Sequence, residues 1–197
     1  IKRLMFREDY ENYKSVKQPL EELQLNKREI TVFYPGCGSD MANLLLVLDL
    51  LTSESDKVNI VLNDILLNSK NLVKAFQKIT GLGACRTREL TDNHTNCLFK
   101  FKNKKFSMDL FENDILKSIP KKLEQGFDIY FDRGFRIMRN NRPSFLAIVL
   151  QHLNKEGLVI TDADFDNNYA QLLGLQRIEG IPTKFGMYKE FAVYRKP

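Results

Sequence analysis

ITVFYPGCGSD, residues 30–40, is the stretch on which the fold turns. Four β-favouring residues, Ile30 to Phe33, run into a turn carrying Gly36 and Gly38. A long apolar stretch, Met41 to Leu51, follows at once. The chain has only 10 glycines. Two of them, one residue apart between a strand and a helix, mark a backbone that turns tightly and admits close approach. Ser39 or Asp40 can cap the helix that the pattern predicts from about Met41 to Thr52.

Working outward, KVNIVLNDI (57–65) reads as a second strand, apolar through Val58, Ile60, Val61 and Leu62. A helix follows on Leu66, Leu67, Val73, Phe76 and Ile79 and ends near Thr80-Gly81, where glycine suits a C-terminal cap. Residues 97–115 alternate in two pieces around Asn103-Lys104-Lys105, which predicts a hairpin whose second arm ends at Asp114. FDIYFDRGF (127–135) is a strand, FLAIVLQHL (145–153) a helix and LVITDADF (158–165) a strand; YKEFAVYRKP closes the chain as a last strand. Before the sheet, residues 1–29 read as one or two helices, with Leu20 and Leu23 at helical spacing. Strands alternating with helices predict an α/β fold: a doubly wound, mostly parallel sheet with helices on both faces and an antiparallel terminal strand. No repeat or linker interrupts it, so residues 30–197 form a single domain.

Bulk properties agree. A chain of 197 residues with 43% hydrophobic and 28% charged residues can bury one sizeable core. No apolar run approaches the roughly 18–20 residues of a membrane span. Met41 to Leu51 is too short and carries Asp49, so no membrane partner is expected. The N-terminal IKRLMFREDYENYK lacks the apolar core of a secretory signal. Three cysteines, Cys37, Cys85 and Cys97, are an odd number without paired spacing. That speaks against a disulfide framework and for a reducing, cytoplasmic location. His94-x-x-Cys97 with Cys85 falls short of four metal ligands, and no metal site is expected. The net charge is +5 and the pI about 9.0. KFKNKK (100–105) and KSIPKK (117–122) read as solvated surface; RGFRIMRNNR (133–142) stands apart.

In open α/β sheets ligands bind beyond the carboxyl ends of the strands. Each of those ends carries polar residues here: Gly36 to Asp40, Asn63-Asp64, Asn113-Asp114, Asp132-Arg133, and Asp162, Asp164 and Asp166. Glycines let a ligand approach the backbone, and free N–H groups opening a helix can meet an acceptor. Asp64, after the second strand, is placed to accept both hydroxyls of a ribose. Asp114 is placed to accept from an exocyclic adenine amine.

At this point the chain resembles the class I S-adenosylmethionine-dependent methyltransferases. FYPGCGSD looks like their glycine-rich first motif and VLNDI like the acidic end of their second strand. FENDIL resembles the adenine-contacting segment, and FDIYFDRGF the strand bordering methyl transfer. The resemblance spans roughly residues 30 to 197 and implies a Rossmann-like methyltransferase domain with S-adenosylmethionine as cofactor. It implies that Tyr34, Gly36, Cys37, Gly38, Asp40, Asp64, Ile65, Asp114 and Ile115 hold that cofactor. Two positions depart from the family pattern. Tyr34 stands where an acid usually orients the amino end of the cofactor, and Asp40 where a third small residue is common. Asp40 either takes over the ammonium group or caps the helix.

The proline pair of the amide- and base-methylating members is missing: Asp132-Arg133-Gly134-Phe135 stands there. Asp132 is the candidate catalytic residue, orienting or deprotonating the acceptor; a cofactor contact or N-cap role is its alternative. Arg133, Arg136, Arg139 and Arg142 recur every three residues. Arg133 and Arg136 are the candidates to pair with an anionic acceptor. The expected acceptor is a small anionic molecule, with RNA or protein as other classes. The rival function is a catalytically degenerate binding module for S-adenosylmethionine or a nucleotide, acting through a partner.

Overall fold

The computed structural model describes residues 17–23, 25–37, 51, 54–65, 68–77, 85–101, 103–117, 119–132, 142, 144–162, 165–178 and 192–197. Among the described residues, nine strands form one sheet: β1 (Glu29–Pro35), β2 (Lys57–Asn63), β3 (Arg86–Thr91), β4 (His94–Phe101), β5 (Lys104–Phe111), β6 (Phe127–Asp132), β7 (Leu153–Thr161), β8 (Gln176–Arg177) and β9 (Ala192–Arg195). Their order is β3-β4-β5-β2-β1-β6-β7-β9-β8. The central run β5-β2-β1-β6-β7 is parallel. Antiparallel strands flank it on both sides, β4 and β3 at one edge, β9 and β8 at the other. The architecture is a single α/β domain with a mostly parallel central sheet.

The central strands read as nearly continuous apolar runs because each is covered on both faces. From Val58 to Asn63 every residue of β2 is buried, as is every residue of β6. The period of two divides their side chains between two cores. Val32, Tyr34, Ile60 and Leu62 join one, together with Leu20, Leu72 and Val73. Phe33, Val61 and Tyr130 join the other, together with Phe145, Leu146 and Val149. Each such side chain contributes about 1.5–3 kcal/mol when fully buried.

Local signals set the helix ends. The helix Ser69–Gln77 starts where Asn71 N donates to Asn68 Oδ1 at 2.9 Å. The helix Asn167–Leu172 starts where Tyr169 N donates to Asp166 Oδ1 at 2.8 Å. Ser144–Leu150 stops short of the predicted 145–153, and β7 begins at Leu153 rather than 158. The reason is tertiary. Lys196, just past β9, sends its Nζ to the carbonyls of Leu150 at 2.9 Å and Leu153 at 2.7 Å. That satisfies acceptors a longer helix would have used itself. Strand β7 ends at Thr161, short of the predicted 165.

The hairpin over 97–115 is present as β4 and β5, with its second arm ending at Phe111 rather than Asp114. Asn103 makes the turn in the left-handed region, φ +67°. The short helices Lys121–Gln125 and Asn167–Leu172, and strands β3 and β8, were not foreseen. The predicted helices within 1–16 and 41–50 lie outside the described residues.

Strand β3 overturns the cysteine reading. Its antiparallel pairing with β4 sets Thr87 opposite Cys97, which brings Cys85 beside Cys97, and the two form a disulfide. Cys37 is the odd one over, buried in the first core. The argument from unpaired cysteines for a reducing, cytoplasmic location goes with it. No helix among the described residues is long and apolar enough to cross a membrane.

A carboxylate buried on β5 ties the antiparallel edge to the rest. Asp109, 3% exposed, takes Lys122 Nζ on one oxygen. His94 Nε2 lies 2.9 Å and Asn96 Nδ2 3.0 Å from the other. Burial alone raises the Asp109 pKa; the hydrogen bonds from Lys122, His94 and Asn96 outweigh it and hold the carboxyl below its ordinary value. The unfolded chain therefore takes up the proton first on acidification. The stabilisation is complete above the ordinary carboxylate range and is lost as pH falls through the folded value. Asp109→Asn should cost about 2–3 kcal/mol at neutral pH. Urea denaturation measured from pH 6 to pH 2 should show a shallower acid loss in the variant than in wild type.

Candidate functional site

The strand order reverses at β1: the chain proceeds outward to β2 and β5 on one side, then to β6 and β7 on the other. Ligands of open sheets sit at such a switch point. Hydrogen bonds stitch the exits of adjacent strands together there. Gly36 N donates to Asn63 O at 2.7 Å, joining the ends of β1 and β2. Asp64 N donates to Phe111 O at 3.1 Å, joining β2 to β5, and Asn63 Nδ2 donates to Asn113 Oδ1 across the same gap. On the other side Asp162 N donates to Asp132 O at 3.0 Å. Gly36 has φ +60°, the left-handed region that a β-branched residue strongly resists.

The predicted residues distribute along this rim. Asp64 is half-buried at the exit of β2, and Ile65 beside it is 63% exposed, a large apolar side chain standing free of either core. Asp114 is half-buried past the exit of β5. Its Oδ1 accepts from Leu116 N at 3.0 Å, and Oδ2 lies 3.6 Å from Lys117 Nζ. Ile115 turns inward to the second core. Cys37 lies in the first core. Asp132 and Asp162 are both buried, at 1% and 2% exposure, beyond neighbouring strands. Tyr34 points into the first core, fully buried, with its ring edge-on to Phe131 at 4.8 Å. Gly38, Asp40, Arg133 and Arg136 lie outside the described residues, and Arg142 is exposed.

Sequence reasoning placed Asn63 on the rim without a role, and it missed Glu112. Asn63 is fully buried and holds Asn113. Glu112 Oε1 accepts from Ser69 N at 3.0 Å and from Ser69 Oγ at 2.5 Å, at the first turn of the helix Ser69–Gln77. A carboxylate there meets free N–H groups and the positive end of the helix dipole. It holds the helix end of the stretch that follows Asp64 and Ile65, while Asp64 N on Phe111 O holds the strand end. Asn68-Ser69 before a periodic apolar run is a readable helix start; its partner 43 residues away leaves no local signal.

A parallel sheet of order β5-β2-β1-β6-β7, closed at one edge by antiparallel β9 and β8, with a polar rim at its switch point, can be compared with solved structures. An S-adenosylmethionine-dependent methyltransferase from Aquifex aeolicus superposes with a TM-score of 0.53 over 98% of this chain and 95% of its own, at 15% identity.

The chain has the fold of the S-adenosylmethionine-dependent methyltransferases.

Two further solved structures superpose at similar levels. The CurJ carbon methyltransferase gives a TM-score of 0.52 at 13% identity, covering 94% of this chain and 54% of its own. MNMC2 from Aquifex aeolicus gives 0.50 at 12% identity, covering 93% and 59%. The chain thus spans little more than half the length of these two. No protein-family model matches it, and no curated protein matches it.

The left-handed backbone at the exit of β1 puts a premium on glycine at position 36. Gly36→Val should lower stability by about 2 kcal/mol, because the φ of +60° is retained at the cost of steric strain. Gly36→Asn should cost clearly less, since asparagine tolerates that region. Chemical denaturation of the two variants beside wild type checks the contrast.

Proposed function

We propose that the chain is an S-adenosylmethionine-dependent methyltransferase whose cofactor lies across the exits of β1, β2 and β5. The observation that carries this reading is the stitched rim. A left-handed Gly36 sits beside Asn63, with Asp64 and Asp114 beyond the two adjoining strands. Gly36 and Gly38 admit the cofactor to the backbone, Asp64 accepts the ribose hydroxyls, and Ile65 offers an apolar contact to the adenine. Asp114 turns toward the exocyclic amine, with Ile115 behind it. When bound, the cofactor supplies an electrophilic methyl group. The protein's part is alignment of an acceptor with it. Asp132 orients or deprotonates that acceptor, and Arg133 and Arg136 hold an anionic group on it, which favours a small anionic molecule. We read the sheet as doubly wound: Leu72 and Val73 of one helix pack in the first core, and Phe145 and Leu146 of another in the second.

One observation favours a second reading. Tyr34 fills the first core where the family resemblance calls for an acid. That suits a binding module that holds the cofactor or a nucleotide without methyl transfer. Tyr34, Cys37 and Asp40 complete the cofactor set under either reading.

Calorimetry with S-adenosylmethionine and S-adenosylhomocysteine tests both. Binding of neither at millimolar concentration overturns the first reading, and methyl transfer to any acceptor removes the second. Asp64→Ala should weaken cofactor binding on the order of tenfold to a hundredfold, the equivalent of about 1.5–3 kcal/mol, with the fold intact. Once an acceptor is in hand, Arg133→Ala with Arg136→Ala should raise the KM for it and leave cofactor affinity unchanged. Equal acceptor kinetics would assign those arginines to surface.

A further inference from the structure

At the opposite end of the strands, the sheet carries a row of cations that its register forces together. Lys100 of β4 is the cross-strand partner of Lys105 of β5, Lys105 the partner of Lys57 of β2, and Lys57 the partner of Glu29 of β1. Cross-strand partners share a face, so three lysines and one glutamate stand in line, all exposed. The glutamate is taken: Lys57 Nζ lies 2.6 Å from Glu29 Oε1. No acid among the described residues pairs with Lys100 or Lys105. Like charges directly opposite each other destabilise a sheet.

A second row lies beside the first. Arg86 of β3 is the partner of Leu98, and Leu98 the partner of Ser107. Leu98 is 48% exposed, and Arg86 too has no acidic partner among the described residues. Arg88, two residues along β3, is exposed on the same face. Lys57, Arg86, Leu98, Lys100, Lys105 and Ser107 line a cavity of about 530 Å³. That is the size of a nucleotide-bearing ligand rather than of a lone small anion. Lys57 begins β2 and Asp64 follows its end, so this face lies roughly 20 Å from the cofactor rim.

We propose that this face binds the phosphate backbone of a single-stranded nucleic acid. Flexible point charges spread over successive strands suit a repeating anion, whereas one carboxylate or phosphate needs converging donors. Leu98, set between the two rows, offers an apolar contact to a base. An acidic peptide fits less well. Recognition of an extended peptide uses the open backbone groups of a border strand, here β3, whereas Lys57, Lys100 and Lys105 stand on inner strands whose backbone groups are already paired.

Fluorescence anisotropy with a labelled oligouridylate of about a dozen nucleotides, without cofactor, tests the proposal independently of the methyl-transfer reading. Each neutralised phosphate adds about 0.7 to the logarithmic salt slope of a single strand. The triple variant Arg86→Gln, Lys100→Gln, Lys105→Gln should flatten that slope by about 2 and weaken binding on the order of tenfold or more at low salt. Removing three charges from helices of the other core, by Lys17→Gln, Lys70→Gln and Lys74→Gln, should leave the slope nearly unchanged. Lys100→Glu should raise the melting temperature, since it turns a repulsive cross-strand pair into an attractive one, and still weaken binding. No oligonucleotide binding at 50 mM salt, or equal losses in the two triple variants, overturns the proposal. So does wild-type affinity in Lys100→Glu.

Discussion

Everything in this molecule is arranged around a strand that is hydrogen-bonded on both sides by parallel neighbours. Strand β1 pairs with β2 over its whole length and with β6 through Val32 and Phe33. From Val32 onward a strand so placed has no edge and no solvent face, so its side chains are apolar in both directions. Its chain can leave only over the carboxyl end. Gly36 is where it does so, and the hydrogen bond from its N–H to Asn63 O turns that departure into part of the rim. The same strand is fixed below by Asp128 of β6. That carboxylate accepts from Thr31 N at 2.9 Å, from Lys27 Nζ at 2.5 Å and from Asn154 Nδ2 at 2.8 Å. The amino end is locked by charge and the carboxyl end by backbone.

How much of this the sequence disclosed depends on the range over which each feature acts. The strand over 30–35 with its turn at Gly36, the apolar run of β2 and the turn at Asn103 are local patterns, and they read correctly. Asp64 could be placed because it follows a recognisable strand directly. Asn63, Glu112 and Asp109 could not be singled out, since each acts through a partner on another element. Glu112 holds Ser69, and Asp109 gathers His94, Asn96 and Lys122. The end of the helix Ser144–Leu150 was misjudged for a related reason. Leu150 and Leu153 keep helical spacing, and the side chain that stops the helix comes from Lys196. Strand β3 was invisible because all six of its residues are exposed, leaving no alternation to read. With it went the pairing of Cys85 and Cys97.

The two ends of the central strands have contrasting chemistry. Beyond the carboxyl ends stand acids and amides: Asn63, Asp64, Asn113, Asp114, Asp132 and Asp162. Around the amino ends of β2 and β5 stand Lys57, Lys105 and, across the hairpin, Lys100. Asp128 at the start of β6 is buried and engaged by Lys27. In a parallel sheet all the strands present the same end to the same side, so a polarity set strand by strand accumulates over the sheet instead of cancelling.

The sheet also has two open borders, and they are guarded by different means. Strand β8 is two residues long. A copy of the chain arriving there finds too few backbone groups to pair with. Strand β3 is six residues long and fully solvated, an inviting template by length. It carries Arg86, Arg88 and Glu89 among threonines and a leucine, and charge on a border strand hinders its pairing with another chain. The disulfide from Cys85 holds the entry of that border strand against β4. The border that most needs protection from intermolecular pairing is thus both charged and covalently pinned to its own sheet. In a reducing environment only the charge would remain, and the tendency of the chain to self-associate would then rest on three side chains.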